Sequence, residues 1–232
     1  MTKGRRRLLA TTALLALASL SGSAQAQRRP AARHHPSRDR PCRTQFNGGP
    51  IVLANRQAGI ILRDGNYEGC WFASRRRAVT LGTPYGPVPG DGLLQVQQLT
   101  LNGTMAATFV ASGNQQGSSY AVFVVDLKRR RTIGAFATGQ PSPTQTQAAG
   151  TEGLDGVGPT TGLVVSPTGS VAWIVHDNQA PDPPTYQVWK ADRGSAKTML
   201  AAGNDIDPSS LALGGTRVYW SQGGAAHASS LM

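Results

Sequence analysis

The stretch LVVSPTGSVAWIVHD, from Leu163 to Asp177, decides the fold class. It is an apolar run, a Pro- and Gly-containing turn, and a second run rich in Val, Ile and Trp. That is the pattern of a β-hairpin and not of a helix. The pattern recurs as LTLNGTMAATFVASG from Leu99 and as LALGGTRVYWSQGG from Leu211, with a weaker copy, IVLANRQAGIILRD, from Ile51. Aligning Ala58, Met105, Val171 and Val218 gives spacings of 47, 66 and 47 residues. The long interval contains a stretch rich in Gly, Pro, Thr and Gln. Treating about 20 of its residues as a loop restores a period of about 46.

Further apolar runs follow each hairpin. Third strands are expected at Cys70-Trp71-Phe72-Ala73, Val122-Phe123-Val124-Val125 and Gln187-Val188-Trp189-Lys190. Charged turns come next: Arg75-Arg76-Arg77, then Lys128 to Arg131, then Asp192-Arg193-Gly194. Fourth strands are expected at Ala78 to Leu81, Thr132 to Phe136 and Lys197 to Leu200. No segment of useful length carries the i, i+3, i+4, i+7 spacing of an amphipathic helix. The reading is all-β, a β-propeller-like array of about four small antiparallel blades, closed or open. Its units cover about 48–82, 93–137, 161–203 and 208–232, with an insertion loop at 138–162. The fourth unit shows only a hairpin before the short segment 225–232, and the segment Cys42 to Phe46 is a candidate to pair with it.

The "SPTG" and "GG" turns that lead into Val-Ala-Trp and Val-Tyr-Trp strands carry a resemblance. Over roughly Gly49 to Gly224 the chain resembles the secreted β-propeller-type repeat proteins of bacteria, with WD-like or TolB-like repeats. The Gly-His and Trp-Asp dipeptides of true WD repeats are absent. The resemblance implies a propeller fold and no particular ligand.

Composition agrees with short strands and tight turns. The 232 residues include 28 Gly and 15 Pro, only 15% are charged and 6% aromatic. Coiled coils and long surface helices need more Glu and Lys than this. The net charge of +11 is unevenly placed. Lys3, Arg5, Arg6 and Arg7 precede a thirteen-residue apolar run, Leu8 to Leu20, and an Ala24-Gln25-Ala26 cleavage motif. Residues 1–26 therefore read as an export signal, by the general or the twin-arginine route, and the run is too short to span a bilayer. Cleavage would leave 206 residues with a charge of +7 and no transmembrane segment. Residues 27–41 read as a disordered, basic, Pro-rich arm, and the folded body 42–232 keeps only a small positive excess. The protein is expected to be secreted, periplasmic or held at the cell envelope.

Cys42 and Cys70 are the only cysteines. Export to an oxidising compartment lets them form a disulfide. A loop of about 29 residues closed this way is worth about 3–4 kcal/mol on the chain-entropy estimate.

Catalytic signatures are missing: the sequence has no G-x-S-x-G, H-E-x-x-H, P-loop or G-x-G-x-x-G. No catalytic residue, cofactor or metal ligand set is assigned. Candidate binding residues fall in three groups. The basic turns Arg75, Arg76, Arg77 and Lys128, Arg129, Arg130, Arg131 recur at one place in successive units, where they would form a positive stripe for an acidic polymer. The acidic residues Glu152 and Asp155 lie in the insertion, and the adjacent pair His176 and Asp177 ends a strand. Asp205 and Asp207 read as turn residues before Pro208. Trp173, Trp189 and Trp220 read as packing residues between blades, with a sugar-stacking platform as the alternative. The functional expectation is an exported, non-catalytic interaction or ligand-binding module whose partner is a protein or a cell-wall polymer. Nucleic acid is not expected, since aromatic residues do not interleave the basic ones. The alternative is a glycan-active hydrolase or lyase using Asp155, Glu152 or Asp177 as acid or base.

Overall fold

Gly and Asp at tight corners and β-branched residues between them produce a chain of hairpins. A computed structural model describes Cys42 and residues 49–84, 95–114, 117–138, 157–177 and 184–232. For residues 112–114, 117–119 and 157–159 the backbone course alone is described. The first 41 residues, and with them the segments read as an export signal and a basic arm, lie outside the described residues, as do Glu152 and Asp155.

Among the described residues fifteen strands form four antiparallel sheets in strict chain order. The first sheet is β1 (Ile51–Ala54), β2 (Ala58–Arg63), β3 (Asn66–Trp71) and β4 (Val79–Gly82). The second is β5 (Gln95–Asn102), β6 (Met105–Asn114), β7 (Gly117–Asp126) and β8 (Arg131–Ala137). The third is β9 (Val157–Val165), β10 (Val171–Asp177), β11 (Thr185–Ala191) and β12 (Lys197–Gly203). The fourth is β13 (Ala212–Gly214), β14 (Arg217–Gln222) and β15 (Ala225–Ser230). The fold is all-β, with each sheet a simple meander, and among the described residues no strand closes a barrel. Among the described residues no helix is long and apolar enough to cross a membrane.

The hairpins follow from local chemistry. Asp64 and Gly65 both take positive φ, 48° and 74°, between the paired residues Arg63 and Asn66. Gly223 and Gly224 do the same between Gln222 and Ala225. Two consecutive left-handed residues twist a two-residue loop to match the strands, and Asp-Gly and Gly-Gly supply that conformation at low cost.

Strand alternation lets one sheet bury both faces. In β6, Met105, Ala107 and Phe109 pack against Val171, Trp173 and Val175 of the third sheet. Ala106, between them in sequence, packs against Ala58 and Ile60 of the first sheet. In β10 the same alternation sends Val171, Trp173 and Val175 toward the second sheet, and Ala172 and Ile174 toward Val218 and Trp220 of the fourth. Each fully buried Val, Ile or Phe side chain adds roughly 1.5–3 kcal/mol of burial. The β10 sequence VAWIVHD is apolar on both sides for this reason, and its first five residues are all buried.

Side-chain amides tie neighbouring sheets together. Asn55 Nδ2 donates to Gly103 O (3.0 Å), Asn102 Nδ2 to Val165 O (3.1 Å) and Gln98 Nε2 to Thr160 O (2.8 Å). The two outer faces of the series differ. On the first sheet, Ile61, Cys70, Phe72 and Ala78 enclose Cys42, whose N–H donates to Ser74 O (3.2 Å). Cys42 and Cys70 are disulfide-bonded, with Cα atoms 5.7 Å apart. On the fourth sheet, Arg217 and Tyr219 are exposed.

Three details differ from the sequence reading. The last unit is a three-stranded sheet and not a lone hairpin, because Ala225–Ser230 pairs along the whole of β14. Its small side chains carry no strand signal, and the Gly-Gly turn alone directs it back. The insertion ends earlier than residue 162, since β9 starts at Val157 and pairs along β10 from Asp177 to Val171. Cys42 sits on the first sheet and not on the last; its disulfide and its bond to Ser74 hold it there, and residues 43–48 lie outside the described ones.

Candidate functional site

The loops within each sheet sort to two ends. The β1–β2 and β3–β4 connections share one end because Ala58 pairs with Trp71, the last residue of β3. The corresponding connections of the next sheets lie beside them. Gly103, in the β5–β6 turn, has Gln57 of the β1–β2 loop and Pro167 of the β9–β10 turn as neighbours. Leu127, which opens the β7–β8 turn, donates its N–H to Thr104 O (3.0 Å). Arg193, in the β11–β12 turn, donates to Thr168 O (3.2 Å).

This end carries most of the positive charge of the described chain. Arg75, Arg76 and Arg77 are exposed in the β3–β4 connection, where Ser74 Oγ accepts Arg76 N–H (3.0 Å) and shapes the turn. Lys128, Arg129 and Arg130 are exposed in the β7–β8 turn, and Arg131 opens β8. Lys128 Nζ lies 5.4 Å from the centre of the Trp71 ring, at the end of β3 that leads into the Arg75–Arg77 turn. Arg56, Arg193 and Arg217 are also exposed at this end. The carboxylates here are engaged. Asp126 is 2% exposed, accepts Arg129 N–H (2.9 Å) and lies 3.5 Å from its guanidinium. Asp192 takes Lys190 Nζ at 2.8 Å and the Met232 N–H at 2.7 Å.

The other described acidic residues lie elsewhere. Asp64 is in the β2–β3 turn, Glu68 on β3 pairs with Arg63 at 3.2 Å, Asp177 ends β10, and Asp205 and Asp207 lie between β12 and β13. Among the described residues the cations thus gather at one end, and five of the seven carboxylates lie away from it.

His176 and Asp177 are neighbours in sequence and occupy opposite faces of β10. Asp177 Oδ2 accepts Gln187 Nε2 (3.0 Å), and Gln187 Oε1 accepts Trp189 Nε1 (2.9 Å), on the side of the second sheet. His176 meets the Tyr186 ring at 5.4 Å on the other side. Period-2 alternation separates any two consecutive strand residues in this way, so adjacency here does not form a dyad. Glu152 and Asp155 cannot be placed beside either residue, since they lie outside the described segments. Among the described residues no group of three or more His, Cys, Asp or Glu side chains is arranged to hold a metal.

The tryptophans form packing layers. Trp173, Trp189 and Trp220 are 0%, 5% and 7% exposed, and Trp173 stacks between Phe136 (6.0 Å) and Trp189 (6.5 Å). No face of theirs is open to a sugar. Asp207 is a turn residue: its Oδ1 accepts Ser209 Oγ (2.7 Å) and Ser209 N–H (2.9 Å). Those bonds stabilise the ionised carboxylate and lower its pKa, the side-chain bond contributing most.

The two basic turns stand out in the sequence, whereas Arg56 and Trp71 beside them do not. Arg56 is a single cation in a loop, with no run to mark it. Trp71 reads as a strand residue, and only the packing of the first two sheets brings it under Lys128. No family model, no curated protein and no solved structure matches this chain.

Proposed function

We propose that this protein is an exported, non-catalytic binding module that attaches to an acidic polymer of the cell envelope through its basic turns. The carrying observation is the gathering of Arg75, Arg76, Arg77, Lys128, Arg130 and Arg131 from two sheets at one end, with Trp71 and Lys128 joining the groups. One exposed ion pair is worth about 0–1 kcal/mol. Several acting together on one chain of anions give useful affinity by multivalency. Binding of this kind weakens with salt, because exposed charges are screened over about 8 Å at physiological ionic strength.

The scaffold in this reading is an open propeller-like array of four blades. It is supported by sheets that follow one another in chain order, by faces that pack consecutively, and by the Gln98 and Asn102 bonds that join β5 to β9. Export is supported by the signal-like segment 1–26 and by the Cys42–Cys70 disulfide.

The test is retention of the mature protein on immobilised poly(glycerol phosphate), with neutral dextran as control. The expected result is retention on the anionic polymer alone, lost as salt rises. Alanine at Arg75, Arg76 and Arg77 together, or at Lys128, Arg130 and Arg131 together, should each weaken it, and the combined variant should abolish it. Retention unchanged in the combined variant overturns the proposal. Turnover of a cell-wall glycan that Asp177→Asn removes would favour the hydrolase reading instead.

A further inference from the structure

The first and fourth strands of three sheets share a feature absent from the inner strands, and only on the first strands is the residue involved exposed. Each holds a β-bulge that leaves one residue out of the ladder. In β1 the register passes from Ile51 to Leu53, leaving out Val52. In β5 it passes from Val96 to Gln98, leaving out Gln97. In β9 it passes from Gly162 to Thr160, leaving out Thr161. All three residues left out are exposed. Bulges re-aim a side chain out of the regular pleat and concentrate near binding sites.

Two of these residues, Val52 and Gln97, line the same cleft between β1 and β5, with a volume of about 210 Å³. Leu53, Tyr67, Gln98 and Leu99 form its walls. The cleft is smaller than the roughly 300–1,000 Å³ of pockets that enclose whole drug-sized ligands, so it suits one ring of a larger molecule. Among the described residues no Lys, Arg, His, Asp or Glu lines it. The nearby Arg63 and Glu68 are paired with each other. A charged ligand would find no counter-ion there. A hydrocarbon would leave the Gln97 amide and the Tyr67 phenol without partners, since neither makes a hydrogen bond with the protein among the described residues. An extended peptide needs an unbroken strand edge, and both flanking strands are bulged. The ligand chemistry that remains is a compact neutral ring with an apolar face and a hydroxyl- or amide-bearing rim.

We infer that the cleft between β1 and β5 is a subsite for one neutral sugar unit of a glycan, with Tyr67 and Val52 against the ring and Gln97 bonding its polar rim. Gln98 is held by its bond to Thr160 O (2.8 Å) and forms a fixed wall. The cleft is separate from the basic turns. Its residues lie toward the starts of β5 and β3, whereas Asn102 and Trp71 end those strands at the basic end.

The test is NMR titration of the labelled mature protein with two neutral probes, N-acetylglucosamine trisaccharide and cellotriose, up to about 10 mM, a range that registers weak single-ring binding. At least one should give saturable shifts confined to Val52, Tyr67, Gln97 and their neighbours. Gln97→Ala removes an exposed, unpaired side chain and should weaken binding about fivefold, the loss expected for one hydrogen bond. Tyr67→Phe should keep the fold and weaken binding by a similar factor. The combined basic-turn variant should bind the trisaccharide as the parent does. The inference is overturned if neither probe gives saturable shifts, if the shifts map elsewhere, or if Gln97→Ala binds as tightly as the parent.

Discussion

Lys128 Nζ sits 5.4 Å from the centre of the Trp71 ring, so a cation from the second sheet rests on an aromatic from the first. Trp71 also packs with Leu127 and Ala106 in the core between these sheets. The contact therefore does two things. It steadies the β7–β8 turn, and it ties that turn to the strand leading into the other basic group, 53 positions earlier in sequence from Lys128 to Arg75. Without the contact, the turns would share an end with less definite separation.

Lys128→Gln keeps the length of the side chain and removes the charge. An exposed cation–π contact contributes about 0.5–1 kcal/mol. The variant should unfold in urea with stability lower by that amount and with an unchanged slope. Its retention on poly(glycerol phosphate) should fall by more than that of Arg56→Gln, because both charge and turn position are lost. A variant as stable as the parent would show that the ring does not hold the ammonium.

The Cys42–Cys70 disulfide closes a loop across 28 positions of sequence, and both cysteines are 1% exposed. Peptide mapping without reductant should recover the linked pair; two free thiols in protein purified under oxidising conditions would contradict it. Reduction should lower stability by about 3–4 kcal/mol. The loss should appear as local opening around Cys42 and Ser74 before global unfolding, because only the first sheet's outer face depends on this segment.

How much of this was legible in the sequence varies by element. The hairpins from Leu99 and Leu163 are plain, since Asn102-Gly103 and Pro167-Thr168-Gly169 punctuate long apolar runs. Val171, Ala172 and Trp173 read as strand, yet their division between two sheets depends on contacts with residues far away in sequence. β15 was hidden because Ala225-Ala226-His227-Ala228-Ser229-Ser230 has neither alternation nor β-branched residues. The basic turns were legible because charge runs are local. The cleft between β1 and β5 was not, because a bulge is a property of the pairing and leaves no mark on the bulged residue itself.

Trp173→Ala should cost about 3–5 kcal/mol, the range for removing a large buried aromatic. The ring is fully buried between Phe136 and Trp189, and its Nε1 donates to Thr138 O (3.0 Å). Tyr219→Ala, on the outer face of the fourth sheet at 39% exposure, should cost about 1 kcal/mol or less. Denaturant unfolding of both variants checks the contrast. Similar losses would mean that the outer face of the fourth sheet is covered in solution.

Asp207 offers a pH-dependent test of the turn that leads into the fourth sheet. Ser209 bonds its carboxylate through both hydroxyl and N–H, and Ser210 Oγ links the Asp207 carbonyl to Ser221 N–H at 2.7 and 2.8 Å. The folded pKa is lowered below the ordinary aspartate range, with the Ser209 hydroxyl as the main cause. A depressed acid binds fewer protons when folded than when unfolded. Its contribution is therefore fully present above the unfolded pKa and is lost as the pH falls through the folded one. Ser209→Ala removes the larger bond and should raise the Asp207 pKa toward its ordinary value, while Ser209→Thr should keep it low. Carboxyl-detected NMR titration reads both directly. In the parent, the β14 amides around Ser221 should exchange faster once the pH drops below the Asp207 pKa. In Ser209→Ala that change should begin at higher pH. An Asp207 titration identical in parent and Ser209→Ala would show that the Ser209 hydroxyl is not what holds the carboxylate.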